Sequence, residues 1–203
     1  MQDAANRSKG LDSEIPMWQG KRRRKVESTP LTIGFMGDIS GSMSAAMNPL
    51  ASTQWVISTA GAHIDARMAS VHFGDKVHGV TPMGVREKSV RVFTPRDGTE
   101  EFRAAALALD RELTLLDGRG ARVVFIASDG VFVDDRHAEY ARTWMPLAAR
   151  KGVAVIFLDF GGDMPYGSYG AAVLDCKGKT PSAVAALCGK AAIAEVKRID
   201  ARI

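Results

Sequence analysis

Leu31-Thr32-Ile33-Gly34-Phe35-Met36-Gly37-Asp38-Ile39-Ser40-Gly41-Ser42 is the stretch on which the reading of the whole chain turns. Residues 31–36 form a short apolar run with a β-branched member at two positions, which predicts a buried strand. Gly37-Asp38-Ile39-Ser40-Gly41-Ser42 follows at once, a tight loop in which oxygen-bearing side chains alternate and Gly41 lets the backbone turn closely. The chain therefore delivers three oxygens at the carboxyl end of a buried strand.

Working outward, residues 68–73, 122–127 and 153–158 repeat the pattern of a continuous apolar run, the kind that suits parallel strands covered on both faces. Residues 171–174 make a weaker sixth candidate. Residues 76–94 alternate loosely and contain Pro82 and Gly84, which predicts an irregular edge hairpin or strand. Helical patterns lie between. Asn48-Pro49 reads as an N-cap with Pro at the first helical position, followed by a stripe of Leu50, Ile57, Ala60 and Ile64. Phe102, Ala105, Ala106, Leu109, Leu113 and Leu116 make a second stripe, with Glu100 and Glu101 at the positive end of its dipole. Residues 137–150 and 182–199 give two more helices. Strands alternating with helices predict a doubly wound α/β fold, Rossmann-like, with a mostly parallel central sheet and helices on both faces.

The 203 residues suit one domain with a short extension. Residues 1–29 carry little apolar periodicity, end at the breaker cluster Ser28-Thr29-Pro30, and read as a basic polar tail or linker; the domain is placed at 30–203. The net charge is +4, much of it from Lys21-Arg22-Arg23-Arg24-Lys25. That run reads either as a solvated linker or as a contact for nucleic acid or an anionic surface, and the absence of interleaved aromatics favours the linker. No signal peptide and no membrane-length apolar stretch is seen, so a cytoplasmic protein without a membrane partner is expected, and the Asn6-Arg7-Ser8 sequon carries little weight. Two cysteines, Cys176 and Cys188, are too few for a disulfide framework or a four-thiolate zinc site; in apolar surroundings they read as buried, reduced thiols. His63, His72, His78 and His137 share no metal-ligand spacing and are expected in core or surface roles.

Three loops converge on one predicted edge, because ligands in open α/β sheets gather at the carboxyl ends of the strands where strand order reverses. They are 37–42, Asp97-Gly98-Thr99 and Ser128-Asp129-Gly130. Asp38, Ser40, Ser42, Thr99 and Asp129 supply carboxylates and hydroxyls, hard oxygen ligands suited to a small octahedral cation that keeps several waters. Taken singly, Thr99 reads as a helix cap, Asp129-Gly130 as a turn and Ser40 as a loop hydroxyl; it is their order on three loops that points to a metal. Thr94 competes with Thr99 for its place.

Asp38-Ile39-Ser40-Gly41-Ser42-Met43, Gly98-Thr99 and Ser128-Asp129-Gly130 together resemble the metal-ion-dependent adhesion site (MIDAS) of von Willebrand factor A (vWA) domains, over a likeness running from about Leu31 to Ile203. Ser128 stands where that family often has Thr, and Gly37 where an apolar residue is common. The resemblance implies Ser40 and Ser42 as direct ligands of Mg²⁺ or Mn²⁺, Thr99 as a direct or water-mediated ligand, and Asp38 and Asp129 acting through water and by hydrogen-bonding the hydroxyls. It implies a non-catalytic module whose cation takes an Asp or Glu from a partner protein. The intracellular members it resembles accompany AAA+ ATPases of the MoxR or chelatase kind.

Two other functions are open at this level. A metal-dependent phosphatase or hydrolase would also place Asp38 after the first strand, but the position two residues on, where a proton-donating acid would stand, is Ser40. No phosphate-binding Gly-x-x-x-x-Gly-Lys loop and no nucleophile elbow is present. An RNA-associated vWA protein would use Lys21 to Lys25. The Gly-rich stretch 161–170 reads as the rim of a partner surface or as a plain loop.

Overall fold

A computed structural model describes residues 31–85, 88–95, 101–131, 135–161 and 169–200. The tail with its basic run, Thr99 and the greater part of the Gly-rich stretch (162–168) lie outside them. The strands are β1 (Thr32–Asp38), β2 (Arg67–Phe73), β3 (Val77–Thr81), β4 (Arg122–Ser128), β5 (Val153–Asp159) and β6 (Ala172–Asp175). The helices are α1 (Met47–His63), α2 (Phe102–Leu113), α3 (Asp135–Arg150) and α4 (Pro181–Asp200), with a 3-10 turn over Gly41–Ala46 leading into α1. The six strands form one sheet in the order β3-β2-β1-β4-β5-β6. All neighbours are parallel except β3, which runs antiparallel to β2 at the edge. This is the expected doubly wound architecture, with the described residues of the loosely alternating segment supplying a five-residue edge strand.

Period-two alternation divides the sheet between two cores. Met36, Val71, Phe73, Val124, Ile126, Val155 and Phe157 face α2 and α3. Ile33, Phe35, Val123, Phe125, Ala154, Ile156 and Leu158 face α1 and α4. The first core is centred on Phe102, whose ring meets Phe73 and Trp144 edge-on, each at 6.0 Å between centroids. Such T-shaped pairs add about 0.5–1.5 kcal/mol to the area they bury. Gly34 is glycine because a Cβ there would stand 2.8 Å from Leu109 Cδ2 of α2. Cys176 and Cys188 are free thiols buried in the second core, as expected, and burial pushes both up to about 12.

Three local expectations are corrected. The first helix starts at Met47 with Ala46 in the cap position and no side-chain cap, so Asn48 is inside the helix. The 3-10 turn already sets the chain direction, and Pro49 is tolerated because N–H groups of a first turn have no intrahelical acceptor. The buried residues of α1 are Met47, Leu50, Ala51, Thr53, Gln54, Ile57 and Gly61, while Ala60 is exposed and Ile64, past the helix end, is 62% exposed. From Ile57 the stripe advances by four residues, to Gly61, where the helix runs close to Ile33. Leu116 lies beyond α2, which stops at Leu113 when Thr114 turns left-handed at φ 51°; it packs half-buried against the core from the loop. Glu101 does sit at the amino end of α2 but makes no side-chain cap, and Glu100 is outside the described residues.

Candidate metal centre

The order 3-2-1-4-5-6 places the reversal between β1 and β4, and the carboxyl ends of those strands are Asp38 and Ser128. Chain leaving β1 departs toward α1 on one face and chain leaving β4 toward α3 on the other, so a crevice opens between them. Asp38 is fully buried at its floor. Its Oδ1 accepts the Ser40 backbone N–H at 2.9 Å, and its Oδ2 accepts the Ser128 hydroxyl at 2.6 Å. The Ser128 hydroxyl in turn accepts the Gly130 N–H at 2.9 Å, so one side chain ties β1 to the turn that follows β4. These donors are all neutral. Burial outweighs them and, with Asp129 adding a like charge, holds the Asp38 carboxyl at about 6, well above the usual carboxylate range.

Above that floor, the Ser40 and Ser42 hydroxyls lie 3.1 Å apart, Ser40 buried and Ser42 exposed. The 3-10 turn produces this: Met43 N–H closes on the Ser40 carbonyl and folds the loop so that side chains two apart share a side. Ile39 N–H, bonded to the Phe73 carbonyl at 2.8 Å, anchors the same loop to β2. Asp129 is partly exposed, and its Oδ1 accepts the Val131 N–H at 3.1 Å. Gly130 between them has φ +73°, a conformation that L side chains rarely adopt. Asp129 therefore builds a turn, as its sequence alone suggests, and its carboxylate also lies close enough to act electrostatically on Asp38.

Asp38, Ser40, Ser42 and Asp129 thus meet at one edge, while Thr99 is outside the described residues. Glu101, just after it, donates its N–H to the Gly74 carbonyl at 2.8 Å, so the strand-2 and helix-2 ends are joined beside the site. Among the described residues no group of three or more His, Cys, Asp or Glu side chains is arranged around a metal position. The donor set is accordingly two carboxylates and two hydroxyls. It fits a hard, partly hydrated cation and not a thiophilic one.

Sequence reasoning missed three contributors. Ser128, in sequence a departure from the vWA pattern, is the buried hydroxyl that bonds Asp38. Asp159 ends β5 just as Asp38 ends β1, in register with Ser128, and is 4% exposed; the shared pattern of an apolar run closing on Asp was its signal. Gly37 has a local cause: it sits opposite His72, where a Cβ would stand 2.8 Å from the imidazole Cδ2.

No family model matches the chain, and no curated protein matches it in sequence. Solved structures match its fold. The SpRpn10 VWA domain aligns at a TM-score of 0.56 with 10% identity, over 76% of this chain and 93% of that one. Manganese-loaded TRAP protein from Plasmodium vivax gives 0.52 at 14%, over 78% and 71%. The pilus adhesin SpaC from Lactobacillus rhamnosus GG, in its open conformation, gives 0.53 at 14%, over 85% of this chain but 31% of the adhesin. These likenesses establish the fold as that of a VWA domain. Among the described residues no helix is long and apolar enough to cross a membrane.

Proposed function

We propose that this chain is a metal-dependent protein-binding module that carries out no catalysis of its own. Ser40, Ser42 and Thr99 hold Mg²⁺ or Mn²⁺, Asp38 and Asp129 support them, and a partner's Asp or Glu completes the coordination. The observation that carries the reading is the buried Asp38 carboxylate at the strand-order reversal, whose hydrogen-bond donors among the described residues are neutral and which adjoins the paired Ser40 and Ser42 hydroxyls. A bound divalent cation supplies a positive charge that the described residues around this carboxylate do not, and neutral hydroxyl ligands leave that cation able to attract an acid. The chain's own residues do the rest: Ser128 and the Ser40 N–H fix the carboxylate, and the 3-10 turn aims the hydroxyls. The manganese in the P. vivax protein supports the choice of ion by likeness of fold. A cytoplasmic setting and an AAA+ ATPase as the partner complete the proposal, on the resemblance to intracellular vWA proteins alone.

The test is capture of partners from lysate in Mg²⁺, Mn²⁺, Ca²⁺ or EDTA, with wild type and Asp38→Ala side by side. A protein held by wild type in Mg²⁺ or Mn²⁺, weakly in Ca²⁺, and by neither EDTA-treated wild type nor the variant is the expected result. A captured set indifferent to both metal and substitution would sink the proposal.

A further inference from the structure

The turn that follows β5 bears directly on the proposed site, although it carries none of its ligands. Asp159 Oδ1 accepts the Gly161 N–H at 2.9 Å, the Phe160 N–H donates to the Ser128 carbonyl at 3.1 Å, and the Cys176 N–H donates to the Asp159 carbonyl at 2.7 Å. From the far side, Lys177 Nζ donates to the Gly161 carbonyl at 2.8 Å. The three-residue turn is thereby fixed to β4 on one side and to the segment after β6 on the other. It is also pressed against the Asp129 backbone: a Cβ on Gly161 would stand 2.5 Å from the Asp129 carbonyl oxygen and 3.0 Å from its Cβ. Backbone against backbone leaves no flexible group to give way.

We propose that the Asp159–Gly161 turn, braced by Lys177, is the abutment that sets the position of Asp129, so that the tightness of the metal site is governed from β5. Asp159, Gly161 and Lys177 are positioning residues; none touches the cation. The inference rests on the metal-binding reading of the site. It explains why a carboxylate nearly excluded from solvent ends β5: its oxygen shapes the turn. It also explains why position 161 is glycine without a left-handed backbone, since the need is for space.

Mn²⁺ affinity, read by electron paramagnetic resonance on the full chain, tests it, with melting temperature recorded for every variant. Gly161→Ala and Asp159→Ala should each bind Mn²⁺ about 10-fold more weakly, the low end of the loss when a group that supports a metal's ligands is displaced. Asp159→Asn, which keeps an acceptor oxygen for the Gly161 N–H, should bind close to wild type. Gly189→Ala, with nothing within 4 Å of the added methyl, is the control. Folded Gly161→Ala and Asp159→Ala that bind as wild type would overturn the inference while leaving the metal site standing. Asp159→Asn as weak as Asp159→Ala would overturn it too, because charge and not turn geometry would then be acting. Wild type that fails to bind Mn²⁺ overturns the site and the inference together.

Discussion

Two buried polar clusters lie side by side in this molecule and treat charge in opposite ways. At the ends of β1 and β4, Asp38 is enclosed by the Ser40 N–H and the Ser128 hydroxyl, and its carboxyl sits at about 6. One strand over, His72 of β2 bonds through Nε2 to Gln54 Oε1 of α1 at 2.6 Å, and Gln54 Nε2 donates to the Ser70 hydroxyl at 3.0 Å. Burial, with the Arg91 cation adding repulsion, pushes the imidazole down to about 3. Phe93 closes over it, ring centroids 3.8 Å apart, with Arg91 above Phe93 at 5.2 Å. The His72 chain is roofed and neutral: it links α1 to the sheet. The Asp38 cluster leads through Ser40 to an exposed hydroxyl, Ser42, and contains an ionisable group for which the described residues supply no cation. Buried polarity alone thus does not mark a site; access and an unbalanced charge do.

The largest break in this comparison is Asp38→Asn. The amide keeps an acceptor for the Ser40 N–H, and the Ser128 hydroxyl can rotate to accept from the new NH₂. Metal-dependent partner capture should be lost entirely. Stability in EDTA at pH 7 should nonetheless rise, by at most about 3 kcal/mol, because a group raised from 3.8 to about 6 disfavours the fold at neutral pH by 1.36 kcal/mol per unit. Urea denaturation checks this. A variant less stable than wild type would mean that the folded protein needs the Asp38 charge even without metal.

The two clusters were also unequally legible. Asp38, Ser40 and Ser42 could be read directly, because they are local in sequence and their alternation at a strand end is itself the geometry. The strands around them were readable for the same reason: long apolar runs between helical patterns. Ser128's hold on Asp38 spans 90 positions, and nothing local to Ser128-Asp129-Gly130 distinguishes a hydroxyl that donates across the sheet from one in a turn. Gln54 was invisible as a buried residue, since its place on the inner face of α1 makes sense only once Ser70 and His72 are known to lie opposite. The stripe through Ala60 and Ile64 failed likewise: helical spacing permits both i+3 and i+4, and the close approach of Gly61 to Ile33 selects the second.

A smaller effect sharpens the comparison from the other side. Gln54→Leu removes the acceptor of the His72 N–H and the donor to Ser70, leaving a buried donor unsatisfied at about 1–3 kcal/mol. The expected result is a lower urea midpoint with Mn²⁺ affinity unchanged in the folded protein. Loss of Mn²⁺ affinity in step with stability would show that the sealed cluster also shapes the site.

The smallest effect is one of pH, and it arises because the two clusters oppose each other. His72 has a folded value of about 3, below its ordinary 6.5, so the unfolded chain binds the proton first and stability contributed above pH 6.5 is lost as pH falls. By pH 5 that loss is about 2 kcal/mol. Asp38 has a folded value of about 6, above its ordinary 3.8, so the folded chain binds the proton first and stability is gained as pH falls from 6 toward 3.8. By pH 5 that gain is about 1.4 kcal/mol. In metal-free wild type the two nearly cancel between pH 7 and 5, and stability from these groups stays almost flat. Asp38→Asn deletes the gain and leaves the loss, so its stability should fall by about 2 kcal/mol over the same interval. Urea midpoints at pH 7, 6 and 5 in EDTA decide it: parallel wild-type and variant profiles would mean that Asp38 titrates like an ordinary carboxylate, and that the contrast between the clusters is one of access alone.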